Sequence, residues 1–295
     1  MRLFSKFALI FSFCFAIVSA SQDTKLKDSL ERMAQPKVSL ETSYISDSEI
    51  KGSTGSFETV KNKISINNFF AGFSYTNRTF NWSNIEDLPF GDKVNKPIKE
   101  MHTLKLDARF PFKINDKWFM LSSLTLTSSF EDSMDDSYSV GAYSFASYKF
   151  DDEHTFQIGA FANYHPITTM ALPIVSYSYR ATYRDGFKFV FGFPRTYVGY
   201  HLNRDTLISF GTIYSQSVVK LGNSSVVQKR GFIETKDYMS NIGISYDFTK
   251  DFQIQADILY GLKREFIMYN SDGNSKETHE VGSAIGANLR VVYTF

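Results

Sequence analysis

The chain has 295 residues, 43% of them hydrophobic and 16% aromatic, with 32 Lys+Arg against 31 Asp+Glu. That balance gives no basic footprint for nucleic acid, and a lone cysteine, Cys14, excludes a disulfide framework and cysteine-ligated metal sites. No stretch after Val18 is apolar enough to cross a bilayer as a helix, so a membrane-spanning form must be a closed barrel, the other architecture that satisfies every backbone group in lipid.

Residues 1–20, "MRLFSKFALIFSFCFAIVSA", place Arg2 and Lys6 before an apolar run from Phe7 to Val18 and then small residues up to Ala20. This is the order of a secretory signal peptide that is cleaved after export. Its removal takes Lys+Arg from 32 to 30 and leaves a mature chain without cysteine. Residues 21–36 lack alternation, and Leu26, Leu30 and Met33 are helically spaced. They are expected to form a short periplasmic segment, with a lumen plug as the other reading.

From Val38 the chain reads as extended segments separated by polar turns. "LKLDARF" sets Leu104, Leu106, Ala108 and Phe110 against Lys105, Asp107 and Arg109, and "VSYSYRATYR" sets Val175, Tyr177, Tyr179 and Tyr183 against Arg180 and Arg184. "YMSNIGISYDF" sets Tyr238, Ile242, Ile244, Tyr246 and Phe248 against Asn241, Ser245 and Asp247. "FQIQADILYGLK" sets Phe252 through Leu262 at even positions against Gln253, Gln255, Asp257 and Lys263. The last segment, "GANLRVVYTF", puts Ala287, Leu289, Val291, Tyr293 and Phe295 opposite Asn288, Arg290 and Thr294. Period 2 is the signature of strands with unlike faces.

A soluble sandwich and a transmembrane barrel both give this pattern. Aromatic residues at strand ends, segments of about ten residues or more, and an export signal favour the barrel. Short turns at 151–154, 185–186, 203–205 and 249–251 interleave with longer connections at 77–100, 130–136, 165–173, 221–230 and 267–280. Short turns belong on the periplasmic side. The expected fold is all-β, a transmembrane antiparallel up-and-down β-barrel over 37–295, with about 12 strands in a range of about 10 to 14. The count turns on whether Pro194 and the Asn67-Asn68 pair are turns or interruptions within strands.

Assigning faces by period 2 puts Lys105, Arg109, Arg180, Arg184, Lys263 and Arg290 in the lumen with Glu41, Asp107, Asp247 and Asp257, a mild basic excess. Arg290 is expected nearly level with Asp257 and, if the first strand meets the last, beside Glu41. It serves either a selective constriction or an ion-pair ladder that holds the wall. The loop at 77–100 has apolar Phe80, Trp82, Leu88 and Phe90, with Glu86, Asp87 and Asp92. It could tuck into the lumen or cap the rim. His102, His154, His165, His201 and His279 have no serine motif, phosphate loop or "HExxH" about them, so no catalytic site, cofactor or metal is expected. "DDEH", with Asp152 and His154, reads as a solvated turn.

The alternating ending Leu289, Val291, Tyr293, Phe295 resembles the assembly signal of Gram-negative outer-membrane β-barrel proteins, although Arg290 stands where many such signals carry glycine. Beyond that strand the resemblance is to barrel families of uncharacterised function. It implies the outer membrane as location, and outer-membrane lipid and the barrel-assembly machinery as partners. The leading expectation is a passive or weakly selective channel for small solutes with a polar, slightly basic lumen. A non-conducting surface barrel that binds partners through its loops is the alternative, and an outer-membrane hydrolase ranks third.

Overall fold

The computed structural model describes residues 34–181, 186–274 and 276–295. The expected signal peptide at 1–20, most of the segment at 21–36, and Arg184 lie outside them. Fifteen strands follow one another: β1 (Lys37–Glu49), β2 (Ser56–Asn67), β3 (Ala71–Ser83), β4 (Glu100–Lys113), β5 (Trp118–Phe130), β6 (Tyr138–Lys149), β7 (His154–Tyr164) and β8 (Thr169–Arg180). They continue as β9 (Gly186–Phe193), β10 (Arg195–His201), β11 (Thr206–Lys220), β12 (Phe232–Asp247), β13 (Phe252–Tyr269), β14 (Lys276–Val281) and β15 (Ile285–Thr294).

From β1 to β13 each strand pairs antiparallel with the next, and β15 pairs with both β13 and β1, so the sheet closes on itself. β14 pairs with the upper part of β13 and hands over to β15, so the two fill one place in a ring of fourteen. The expected number of about 12 is therefore corrected. Both doubtful positions are turns. Asn68 accepts hydrogen bonds from the backbone of Phe70 and Ala71, both at 2.9 Å, and so reverses the chain between β2 and β3. Pro194, which has no N–H to give a ladder, forms the tip between β9 and β10.

The turn at Asn68 belongs to a repeated device. Asn115, Asp151, Asn203 and Thr249 each take two backbone N–H groups of the residues that start the next strand. Short polar side chains favour such turns because they replace backbone hydrogen bonds locally. All these tight turns lie at one end of the barrel, and the longer connections lie at the other. Several of those are shorter than the sequence implies, because strands run beyond the alternating core: β3 reaches Ser83 and β8 begins at Thr169.

The outward face is apolar around the ring: Leu40, Phe110, Leu124, Ile158, Phe191, Ile208, Ile258 and Leu289 are all exposed. Aromatic rings gather at its turn-end margin, where Trp118, Tyr148 and Phe150 touch in sequence, as do Tyr246, Phe248 and Phe252, and Tyr293 with Phe295. An apolar band edged by aromatic residues is the surface a bilayer requires.

The buried core lies at the loop end, between walls that a round barrel would hold apart. Phe57, Phe80 and Trp82 on β2 and β3 meet Val219, Ile233, Phe266 and Met268 on β11 to β13, with Leu88, Phe90 and Ile98 from the connection after β3 between them. Phe57 stacks on Phe266 with ring centroids 5.1 Å apart. Full burial of residues such as Ile50, Leu88, Ile98 and Ile233 contributes about 1.5–3 kcal/mol each. At the same end Lys220 of β11 pairs in parallel with Phe130 of β5, and Glu131 N–H donates to Lys220 O at 2.9 Å. These strands are six places apart in the ring, so this end is pinched.

Candidate functional site

Residues directly opposite one another on paired strands share a face, so the inward rows can be followed around the ring. Starting from Arg109, one row runs through Ser123, Tyr143, Phe161 and Leu172. A neighbouring row runs Leu121, Phe145, Gly159 and Ile174. At mid-height from β5 to β8 the lumen wall therefore carries an apolar patch, with Tyr143 and Phe145 stacked at 5.9 Å, between polar rows that contain Thr125 and Asn163 above it and Ser147, Gln157 and Ser176 below it.

The other half of the lumen is charged. Glu41 lies opposite Arg290 on one side and Lys63 on the other, and its carboxylate pairs with Lys61 at 3.1 Å. Lys61, Lys63 and Arg290 thus lie about one carboxylate, Lys105 lies near Lys63, and among the described residues Arg290 Nε is buried without a hydrogen-bond partner. The expected neighbour Glu41 is in place. Asp257 is one pair further along: it faces Asn288, while Gln255 faces Arg290. Asp257 accepts hydrogen bonds from Asn241, Gln255 and Asn288 at 3.0 to 3.1 Å, so amides hold it where an arginine was expected. Lower down, Arg109 pairs with Asp107 at 2.6 Å and donates to Asn68 O at 2.8 Å.

Lys263 departs from its expected place. Tyr238 pairs with Lys263 but Met239 pairs with Gly261, so Leu262 is an extra residue in β13. A bulge of this kind reverses which side the following residues face. Lys263 is 71% exposed and pairs outside with Glu265 at 2.8 Å. Arg264 takes the inward position, where it is 6% exposed, bonded to Asp237 at 3.2 Å and to Ser48 at 2.7 Å. Arg264, Asp237, Lys61, Lys63 and Arg78 were missed by the sequence reading, although "VKNKISI" at 60–66 carries the same alternation as the segments that were used.

At the turn end a cavity of about 670 Å³ is lined by Arg180, Lys188, Arg195, His201, Asp205 and Asp247 among others. Asp247 accepts from Gln253 at 2.5 Å, and Arg195 stands 5.0 Å from the Tyr197 ring. A second cavity of about 330 Å³ lies higher, beside Glu41, Lys61, Arg78 and Arg264.

The connection at 84–99 sends Leu88, Phe90 and Ile98 into the core, and Trp82 Nε1 donates to Ile98 O at 2.6 Å. Its acids Glu86, Asp87 and Asp92 stay exposed, so it caps the mouth with apolar side chains. Hydrogen bonds from Asn95 and from nearby backbone N–H groups hold the Asp92 carboxyl below its usual range. Of the histidines, His102 bonds Tyr75 Oη at 2.9 Å and His154 bonds Tyr177 Oη at 2.5 Å. Both lie on the outward face, and Asp152 pairs with Lys149. His165, in the turn between β7 and β8, is 1% exposed and sits edge-on to Phe232 of β12. Burial pushes its imidazole down to about 4. Burial raises the carboxyl of Glu131, which accepts from Gly222 N–H at 2.9 Å.

No family model matches the chain, and no curated protein matches its sequence. Among solved structures it is similar to the NanC porin, at 11% identity over 88% of this chain and 100% of that one, with a TM-score of 0.42. An outer-membrane channel from Pseudomonas putida F1 matches at 10% identity over 88% and 95%, with a TM-score of 0.46. The KdgM porin matches at 11% identity over 87% and 99%, with a TM-score of 0.38.

Proposed function

We propose that the chain is a passive channel of the Gram-negative outer membrane, selective for small anionic solutes. One observation carries this reading: a ring whose outer face is apolar encloses a cluster of cations, Lys61, Lys63 and Arg290 about the carboxylate of Glu41 with Lys105 near Lys63. A structural ladder would need about one acid for each base, whereas these bases share the carboxylate of Glu41; Lys61 and Glu41 border the higher cavity together with Arg78, Arg264, Asp237 and Asp257. Rings of like charge set ion preference in pores. Outer-membrane lipid would contact the apolar band, the tight turns would face the periplasm, and the alternating Leu289, Val291, Tyr293 and Phe295 would be read by the barrel-assembly machinery.

The apolar cap favours a second reading, a non-conducting surface barrel whose rim binds a partner. Single-channel recording on refolded protein separates the two. Conductance steps with an anion-selective reversal potential support the channel, and silence at every voltage supports the closed barrel.

A further inference from the structure

The wall is not uniformly high. β9 has 8 residues and β10 has 7, whereas β11 next to them has 15. The last pair between β8 and β9 is Val175 with Phe193, and the last between β10 and β11 is Arg195 with Ile213. Among the described residues, 169–174 of β8 therefore have a ladder partner only in β7. The stretch 214–219 of β11 has one only in β12.

The sequence fits this notch. Pro173 lies within the stretch of β8 that lost its neighbour and Pro194 forms the hairpin tip below, so proline, which gives no ladder donor, stands on two of its sides. The notch has a roof. The turn from His165 to Thr168 leans across to the outward face of β11 to β13, where Ile167 packs with Val218, Phe232, Ile267 and Tyr269. β5 and β11 are joined behind it. The result is a window in the wall, bounded by β8, β11, the hairpin tip and the docked turn.

The window opens at the height of the apolar band on its β8 side, and on its β11 side at the margin marked by outward Tyr214 and Tyr238, with Gln216 and Lys236 above them. Neighbouring strands carry exposed Val140 and Tyr164 above the level of the hairpin tip, so the apolar band continues past it on that side. An unpaired strand edge in lipid is costly unless it borders a water-filled or solute-filled space. Two absent strands leave up to about 14 Å between strand axes, enough for an aromatic ring or an alkyl chain. Leu172 and Ile174 on the lumen side of β8 lead from the window to Phe161, Tyr143 and Phe145.

We infer that this window is a lateral port, through which small solutes with an apolar body pass between the outer leaflet and the apolar patch of the lumen wall while the capped mouth stays shut. The inference rests on the membrane placement proposed above, but not on ion conduction.

Cys14 is the one cysteine of the sequence, so in a C14S background single cysteines report cleanly. Full-length protein is refolded into liposomes that contain a maleimide-bearing phospholipid. L172C and S215C, inward on the two edges of the window, are compared with T127C, inward at similar height on β5, where both neighbours are paired. Outward A171C serves as the positive control. Labelling of L172C and S215C at least tenfold faster than T127C supports the port. Labelling as slow as T127C, with A171C reactive, overturns it. Ion conductance recorded on the same preparations reads the channel proposal separately: labelling without conductance leaves the port and removes the channel, and conductance without labelling does the reverse.

Discussion

The two halves of this barrel solve the same wall-building problem differently. β11 to β13 run 15 to 18 residues, reach over the mouth, and bury Val219, Ile233, Phe266 and Met268 against β2 and β3. Their inward faces below that core hold charges. β7 to β9 run 8 to 12 residues, contribute nothing to the main core, and give the lumen an apolar patch of Phe161, Leu172 and Ile174 above polar Gln157, Ser176 and Arg180. Long strands supply the apolar contact that shuts the mouth. Short strands leave an edge, and the apolar lining continues up to that edge. Chain length beyond the membrane band thus decides where the barrel is sealed and where it is not.

Breaking the long-strand half should cost most. Asp237→Ala leaves Arg264 buried and unpaired, and is expected to lower stability by about 3–5 kcal/mol, read as urea unfolding of the refolded barrel. Asp237→Asn, which keeps a hydrogen-bond acceptor, should lose less. Phe57→Ala empties the centre of the cap at a cost of about 3–5 kcal/mol. The same truncation at Phe145, which borders the lumen on the other half, should cost under about 1.5 kcal/mol. Equal costs at the two positions would erase the distinction between the halves. Asn68→Ala removes two turn hydrogen bonds and should cost about 1 kcal/mol, with folding retained.

The roof of the short-strand half should respond to pH. Burial holds His165 at about 4 against an ordinary 6.5, so the unfolded or undocked turn takes up a proton first as pH falls. Docking is then fully favoured above pH 6.5 and weakens progressively down to pH 4. Hydrogen exchange at 165–168 should rise over that window in the natural protein and stay flat in H165F. The smallest effect is expected from Lys113→Ala. It breaks an exposed pair with Asp116 at the turn end and should leave urea unfolding unchanged.

How far the fold could be read follows the same division. Strands with unlike faces, such as β12 and β15, declared their inward residues, and Glu41 opposite Arg290 came directly from closing the ring. β7, "HTFQIGAFANY", sets Gln157 and Asn163 against Ile158 and Tyr164, but Phe161 and Gly159 on the inward face blur the contrast. Lys263 was misplaced because one extra residue, Leu262, reverses the alternation, and nothing in "YGLKRE" marks it. The strand number depended on Asn68 and Pro194, where turn and interruption look alike in sequence. The cap was least visible of all, since Phe57 meets Phe266 across 209 positions, a pairing set by how far the strands overreach the band.

The account's central claim is that Lys61, Lys63, Lys105 and Arg290 give the lumen its character. The most direct test is the reversal potential of single channels in a salt gradient, compared with a variant carrying K61Q, K63Q and R290Q. Anion preference in the natural protein that falls toward neutrality in the variant is the predicted result. Channels whose ion preference is unchanged by all three substitutions would contradict it.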